Sequence, residues 1–129
     1  MFLPEDGRVV VDTESENTNV PSVILEWTMS EDNDTSPGDF DTYDGITVRA
    51  FHEKAWQYVT VGVRVEVDSE VVAFESVGGY EHGVFPDGEY VDAFATARED
   101  GLHLEAFQRA TLTVKNQIDS LSKVVFPND

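Results

Sequence analysis

Carboxylate side chains are the most frequent groups in this chain that could do chemistry, and they are concentrated between residues 30 and 45. Closely spaced carboxylates can coordinate a cation such as Ca²⁺, or they can offer a negatively charged surface to a basic partner. We refer to residues 30–45 as the acidic loop. Its candidate partner-binding residues are Glu31, Asp32, Asp34, Asp39, Asp41 and Asp44.

The spacing of these carboxylates does not match a known calcium loop. The EF-hand requires glycine at its sixth position and glutamate at its twelfth. A register that begins at Asp32 has Pro37 and Tyr43 at these positions, and a register that begins at Asp39 fails in the same way. We expect no metal and no other cofactor here. A solvated loop, an irregular weak cation site and a partner-binding surface are the alternatives.

The remaining reactive groups form no recognisable catalytic pattern. His52, His82 and His103 lie on different predicted elements, without the spacing of zinc ligands. Ser76 is near His82 in sequence, but no nucleophile-elbow pattern surrounds it. The chain has no cysteine, which excludes disulfides, iron–sulfur clusters and thiol catalysis. The sequence therefore predicts no catalytic residues, and we expect that the protein is not an enzyme.

The net charge indicates the kind of partner. The chain has 26 acidic and 8 basic residues, a net charge of −18, whereas solubility alone needs a magnitude of about 2–8. Direct binding to nucleic acid or to an anionic membrane is disfavoured because phosphate binding needs clustered Lys and Arg. Twelve acidic residues precede Ile46 and Arg8 is the only basic residue there. We assign at most two of the twelve to strands, so the charge is expected mainly in loops.

The elements that position these groups begin with a valine-rich strand. From Val59 to Val67 every second residue is valine, which predicts an antiparallel strand with one face on a core. A turn at Asp68-Ser69-Glu70 predicts a hairpin with the strand that follows. Gly78-Gly79 is expected to end the sheet region or to form a bulge. The four predicted strands are residues 22–29, 46–52, 58–67 and 71–77.

From Glu89 the apolar period becomes helical and continues to residue 122. An unbroken helix of this length would span ~50 Å, whereas a chain of this size has a radius of gyration of ~14 Å. The pattern therefore favours a break near Gly101 over a helix that overhangs and finds a partner. A homodimer through this C-terminal helix is a further expectation.

Together these elements predict an α+β fold in a single domain, residues 1–129. Residues 1–20 are expected to form an N-terminal arm, residues 21–79 an antiparallel sheet of about four strands, and residues 89–122 a long C-terminal helix packed on it. The first five residues lack a basic region, and no apolar run approaches ~18 residues. We therefore expect no signal peptide, no membrane span and a cytoplasmic protein.

A resemblance covers roughly residues 55–122. It is carried by a W-x-Y-V strand at Trp56, Tyr58 and Val59, by S-x-x-G-x-E at Ser76, Gly79 and Glu81, and by the acidic, alanine-containing helix from Glu89. In this order of features the chain resembles small uncharacterised accessory proteins of actinobacterial phages. Gly78 departs from that pattern, in which an aromatic residue is frequent, and the helix here is longer. The resemblance implies a phage origin and an accessory role, and it supplies no active site.

These observations lead to competing functional hypotheses. The first is a protein that binds a basic host protein surface, as a nucleic-acid mimic or anti-defence inhibitor acting in the host cytoplasm. The alternative is a phage structural or assembly protein, or an acidic protein of a halophile that mimics nothing. A small hydrolase or metal-dependent enzyme is a third class, which the motifs do not support.

Overall fold

The computed structural model describes residues 8–125, which form a five-stranded antiparallel sheet with helices on both faces. The strand order is β1-β2-β3-β4-β5, so every strand pairs with its neighbour in the chain. The elements are β1 (Val10–Asn17), β2 (Val23–Glu31), a 3-10 helix (Pro37–Asp39), α1 (Gly45–His52), β3 (Trp56–Val67), β4 (Glu70–Val84), β5 (Tyr90–Val91), α2 (Ala93–Glu99) and α3 (Leu102–Ser122). The α+β fold is confirmed, with one strand more than the four predicted.

The predicted valine face of β3 forms the centre of the main core. Val59, Val61, Val63 and Val65 are each at most 1% exposed. They pack with β2 side chains and with α2 and α3 on the same face of the sheet. The helices contribute mainly small residues, which let their backbones approach the sheet closely; these are Ala93, Ala97, Ala106 and Ala110. Burial beneath the C-terminal helices is therefore confirmed.

The C-terminal helical region is divided, as predicted. Gly101 separates α2 from α3 and has φ +80°, a left-handed conformation that glycine adopts without steric cost. The helical region starts later than predicted, because Tyr90–Val91 form β5 and the Asp92 side chain caps α2 by accepting from Phe94 N. Among the described residues, no helix is long and apolar enough to cross a membrane.

The predicted N-terminal arm is wrong for residues 10–17, which form β1; residues 1–7 of that arm lie outside the described part of the chain. β1 is an edge strand paired with β2, in a register that places Glu14 opposite Trp27. Charged side chains are common on edge strands because one side of the strand faces water. Five of the twelve acidic residues before Ile46 therefore lie in strands, and not at most two; they are Asp12, Glu14, Glu16, Glu26 and Glu31.

The strand predicted at residues 46–52 is also wrong, since these residues form α1. Asp44 caps the helix by accepting a hydrogen bond from Thr47 N at 2.8 Å. β3 already has a partner strand on each side, so the sheet has no vacant position next to it for residues 46–52. Phe51 instead packs on Trp56, with ring centroids 5.2 Å apart.

The sheet does not end at Gly78-Gly79, because β4 continues to Val84. The pairing of β3 with β4 shifts register between Val59 and Val61, opposite the glycine pair. Gly79 has φ +80°, a conformation typical of bulges. The bulge proposed from the sequence is therefore confirmed, and the end of the sheet is not.

Candidate functional site

The acidic loop is a folded segment that joins β2 to α1 and includes the 3-10 helix. Its six candidate carboxylates fall into two groups. Asp32, Asp39 and Asp44 accept hydrogen bonds from the chain itself. Glu31, Asp34 and Asp41 accept none from the described residues and differ in exposure, since Glu31 is half-buried and the two aspartates are exposed.

Asp32 anchors the start of the loop. The residue is 8% exposed. Oδ1 accepts from Asp34 N at 3.0 Å, and Oδ2 accepts from Thr35 Oγ1 and from Gly79 N, both at 2.8 Å. Burial by itself raises the pKa of Asp32, but these three hydrogen bonds and the charge of Arg8 outweigh it and lower the pKa below the ordinary value of 3.8. The charged carboxylate therefore fastens the acidic loop to β4.

The glycine pair of β4 makes this anchor sterically feasible. A Cβ atom at Gly78 would lie 3.1 Å from Asp32 Oδ2 and 3.2 Å from Thr60 Oγ1. Both distances are tighter than ordinary contacts, so a side chain at this position would displace the carboxylate. Gly78 thus leaves room for Asp32 to reach the amide of Gly79.

Two further aspartates cap helical segments. Asp39 Oδ2 accepts from Ser36 N at 3.0 Å, and Ser36 Oγ accepts from Gly38 N at 3.4 Å, which together form a capping box around the 3-10 helix. Asp44 caps α1, and its bonds to Thr47 hold the pKa of this carboxyl below its ordinary range. Asp39 and Asp44 remain exposed while they cap.

The second half of the loop is held by an aromatic layer on the face of the sheet opposite the valines. We define this layer as Phe40, Tyr43, Phe51, Trp56, Tyr58 and Phe85. The rings of Tyr43 and Trp56 are 5.4 Å apart, and Trp56 Nε1 donates to Thr47 O at 3.0 Å. Phe85 stacks on Trp56 with ring centroids 4.7 Å apart. The layer therefore packs both the acidic loop and α1 against one end of β3.

Hydrogen bonds reinforce this layer. Tyr58 donates to the Tyr43 hydroxyl at 3.0 Å, and Tyr43 donates to the carboxylate of Glu81 on β4. Burial, and next the bond to Glu81, raise the pKa of Tyr43 well above its ordinary value of 10.0. Tyr43 therefore stays protonated and keeps donating throughout the pH range in which proteins usually work.

β1 adds carboxylates that the sequence analysis did not select. Asp12 and Glu14 are exposed on this edge strand, and Asp12 lies opposite Met29, two residues before Glu31. Glu16, the third acidic residue of the row, forms a salt bridge with Arg98 on α2. The regular alternation of acidic residues with Thr13 and Ser15 was the signal that could have identified β1.

The histidines do not assemble a reactive site. His82 Nδ1 accepts from Ala93 N at 3.2 Å, which ties β4 to the start of α2. His103 lies on α3, with its ring 5.9 Å from that of Trp27. Across residues 8–125, no three or more His, Cys, Asp or Glu side chains come together in a way that could hold a metal ion.

We compared the chain with protein-family models, with curated proteins and with solved structures, and none of the three comparisons found a match.

Proposed function

We propose that this protein binds a basic surface of another protein through its acidic loop and the neighbouring β1 edge. The partner we propose is a host protein that normally binds nucleic acid, which the acidic surface would mimic. The observation that carries the proposal is the division of labour within the loop. Asp32, Asp39 and Asp44 hold the backbone in place, while Asp34 and Asp41 are exposed and accept no hydrogen bond from the described residues.

Preorganisation supports this use of the loop. A flexible acidic segment would lose conformational entropy on binding, which weakens association. Here the loop is fixed at Asp32, at the capping box and at Tyr43 before any partner arrives. Exposed carboxylates on a fixed backbone can match a basic surface at a lower entropic cost.

The distribution of charge also supports it. From Leu102 to Val125 the chain has three basic and two acidic residues, whereas the rest of the chain has a net charge of −19. Among the described residues, the negative field therefore comes from the sheet, its loops and α2, and not from α3. Such an uneven field steers a basic partner toward one part of the surface.

The experiment begins with a tagged pull-down from an actinobacterial host lysate at low and high salt. Association rates of the captured partner are then measured with wild type and with Asp34→Asn/Asp41→Asn. Steering by exposed charges is screened beyond a Debye length of ~8 Å at physiological salt. We expect the variant to associate about 3- to 10-fold more slowly at low ionic strength, with the difference closing as salt is raised.

A matched control removes two charges from the opposite end of the sheet, in Asp68→Asn/Glu70→Gln. Both residues are exposed, and asparagine tolerates the positive φ of Asp68. This turn follows Val67, which lies ~30 Å along β3 from Tyr58. Tyr58 is next to the acidic loop, because its carbonyl oxygen accepts a hydrogen bond from Asp32 N. We expect its association rate to stay within about twofold of wild type, because charges this far from the loop are screened from it. If both variants associate equally slowly, the effect comes from net charge and not from the acidic loop. A captured partner with an acidic binding surface would refute the proposal.

A further inference from the structure

The C-terminal half of α3 extends beyond the sheet. Leu102, Ala106 and Ala110 face the core at intervals of four residues, and each is at most 7% exposed. From residue 115 to residue 125 every residue is exposed. Two turns of regular helix therefore project past the last contact with the core.

This projecting part is not polar all round. Val114, Ile118 and Leu121 lie on one side of the helix at intervals of four and three residues, in line with the half-buried Phe107. Ile118 is 59% exposed and Leu121 is 72% exposed. We call Val114, Ile118 and Leu121 the apolar stripe. Apolar side chains at this spacing are typical of a helix that packs against another element.

The charge of residues 115–123 indicates what kind of surface packs against the apolar stripe. Residues 115–123 include Lys115, Asp119 and Lys123, a net charge of +1 in a chain of −18. A basic protein surface gains nothing electrostatically from this segment. A second copy has other exposed apolar side chains, such as Val71 and Phe74 on β4, but they stand beside acidic residues in the part of the chain that carries −19. Two copies of the segment itself can meet with little repulsion. On one side of the stripe the groups are neutral, where a shallow hollow on the helix is lined by Thr113, Asn116, Gln117, Ser120 and Leu121.

We propose that two copies of this chain associate through an antiparallel, two-fold symmetric packing of their α3 apolar stripes. Antiparallel packing keeps the two acidic sheets at opposite ends of the helix pair, where their repulsion is weakest. A standard stable interface buries ~800 Å² on each partner, more than two turns of helix provide. The dimer is therefore weak, with a dissociation constant of roughly tens to hundreds of micromolar, which corresponds to a small binding free energy.

Sedimentation equilibrium between about 10 and 1000 μM, a range chosen to bracket that affinity, tests the proposal with wild type and Ile118→Gln/Leu121→Gln. Both positions are exposed, so the variant should keep its fold, which circular dichroism verifies. We expect its self-association to weaken at least about 10-fold because buried apolar area drives the contact. The matched control is Leu112→Gln, on the same helix and 61% exposed but on the opposite side from Leu121. We expect it to stay within about twofold of wild type, because an exposed substitution outside the contact changes little.

Salt separates this contact from the proposed partner binding. Screening relieves repulsion between two chains of −18, so raising salt should strengthen the dimer, whereas it should weaken binding to a basic protein. Either result can therefore fail without the other. A wild type that stays monomeric throughout the range, or equal weakening by Leu112→Gln, would overturn the dimer.

Cross-linking tests the antiparallel geometry, since the chain contains no other cysteine. Gln117 lies near the middle of the stripe, where a two-fold axis brings it close to its own copy. Thr111 flanks the stripe more than one turn earlier and meets the far end of the partner helix. We expect disulfide dimers from Gln117→Cys and not from Thr111→Cys. Dimers from both variants, or from Thr111→Cys alone, would contradict the antiparallel arrangement.

Discussion

The two faces of β3 are packed in different ways. On one face Val59, Val61, Val63 and Val65 meet the small side chains of α2 and α3 along most of the strand. On the other face the aromatic layer occupies only the end near Trp56, and it combines ring packing with hydrogen bonds such as Trp56 Nε1 to Thr47 O. The aliphatic face holds the sheet and helices together, whereas the aromatic layer positions the acidic loop. Stability and the candidate binding surface therefore depend on different sides of one strand.

Of the substitutions that test the two faces of β3, Val63→Asp is expected to have the largest effect on stability. Val63 is fully buried, and an unpaired carboxylate there should lower the free energy of unfolding by on the order of 5 kcal/mol, comparable to the whole stability of a marginal domain. Val71→Asp is the matched control, because Val71 is 51% exposed on β4, and it should change stability by less than about 0.5 kcal/mol. Urea denaturation measures both. Similar midpoints for the two variants would show that the valine face is not the core.

Trp56→Ala should produce a smaller and more local effect. Removing a buried tryptophan costs about 3–5 kcal/mol, and the loss falls on the layer that holds α1. We expect amide hydrogen exchange in residues 45–52 to become faster than the loss of global stability alone would cause. Exchange in α3 should increase only as much as the loss of global stability requires. Phe40→Ala, at a position 46% exposed on the rim of the layer, should have a weaker effect. Unchanged protection of α1 would mean that the layer does not hold it.

Asp32→Asn should have the smallest effect of the three and should depend on pH. An asparagine amide can replace only one of the two accepting oxygens, so we expect a loss of about 1–3 kcal/mol at neutral pH. The folded pKa of Asp32 lies below the ordinary value of 3.8, so its stabilisation is present above that pH and is lost as the pH falls through the folded value. The gap between wild type and variant should therefore narrow as the pH falls below 3.8 and toward the folded pKa. Urea titrations from about pH 7 down to about pH 3 measure this difference in the free energy of unfolding. A difference that does not change with pH would mean that the substitution acts through packing and not through the charge of Asp32.

The sequence predicted the aliphatic face better than the aromatic one. Strict alternation of valine has one simple structural explanation, and a break near Gly101 was favoured because an unbroken helix of ~50 Å is long for a domain of this size. The alternating apolar residues at 46–52 are typical of a strand. The hydrogen bond that Asp44 accepts at the helix start and the packing of Phe51 on Trp56 stabilise a helix instead. Such tertiary contacts cannot be obtained from local periodicity.

The candidate site shows the same limit. Its acidic residues could be identified from composition, but their separate roles could not. Asp32 and Gly79 are 47 residues apart, and only the fold brings them together. A variant that neutralised every loop aspartate would therefore remove the anchor together with the charge, which is why Asp34 and Asp41 are the informative pair. The carboxylates of β1 were missed because a charged stretch was interpreted as an arm.

The meander order of the sheet has a consequence for synthesis on the ribosome. All five strands emerge before α2 and α3, the helices that cover the valine face. At ~5–20 residues per second, the stretch from Ala93 to Ser122 takes a few seconds to appear. During that interval paired strands would expose a wide aliphatic surface. The residues before Ala93 already carry 21 acidic and 4 basic side chains, a net charge of −17. Mutual repulsion between such nascent chains should keep their uncovered valines apart until each chain acquires its own helices.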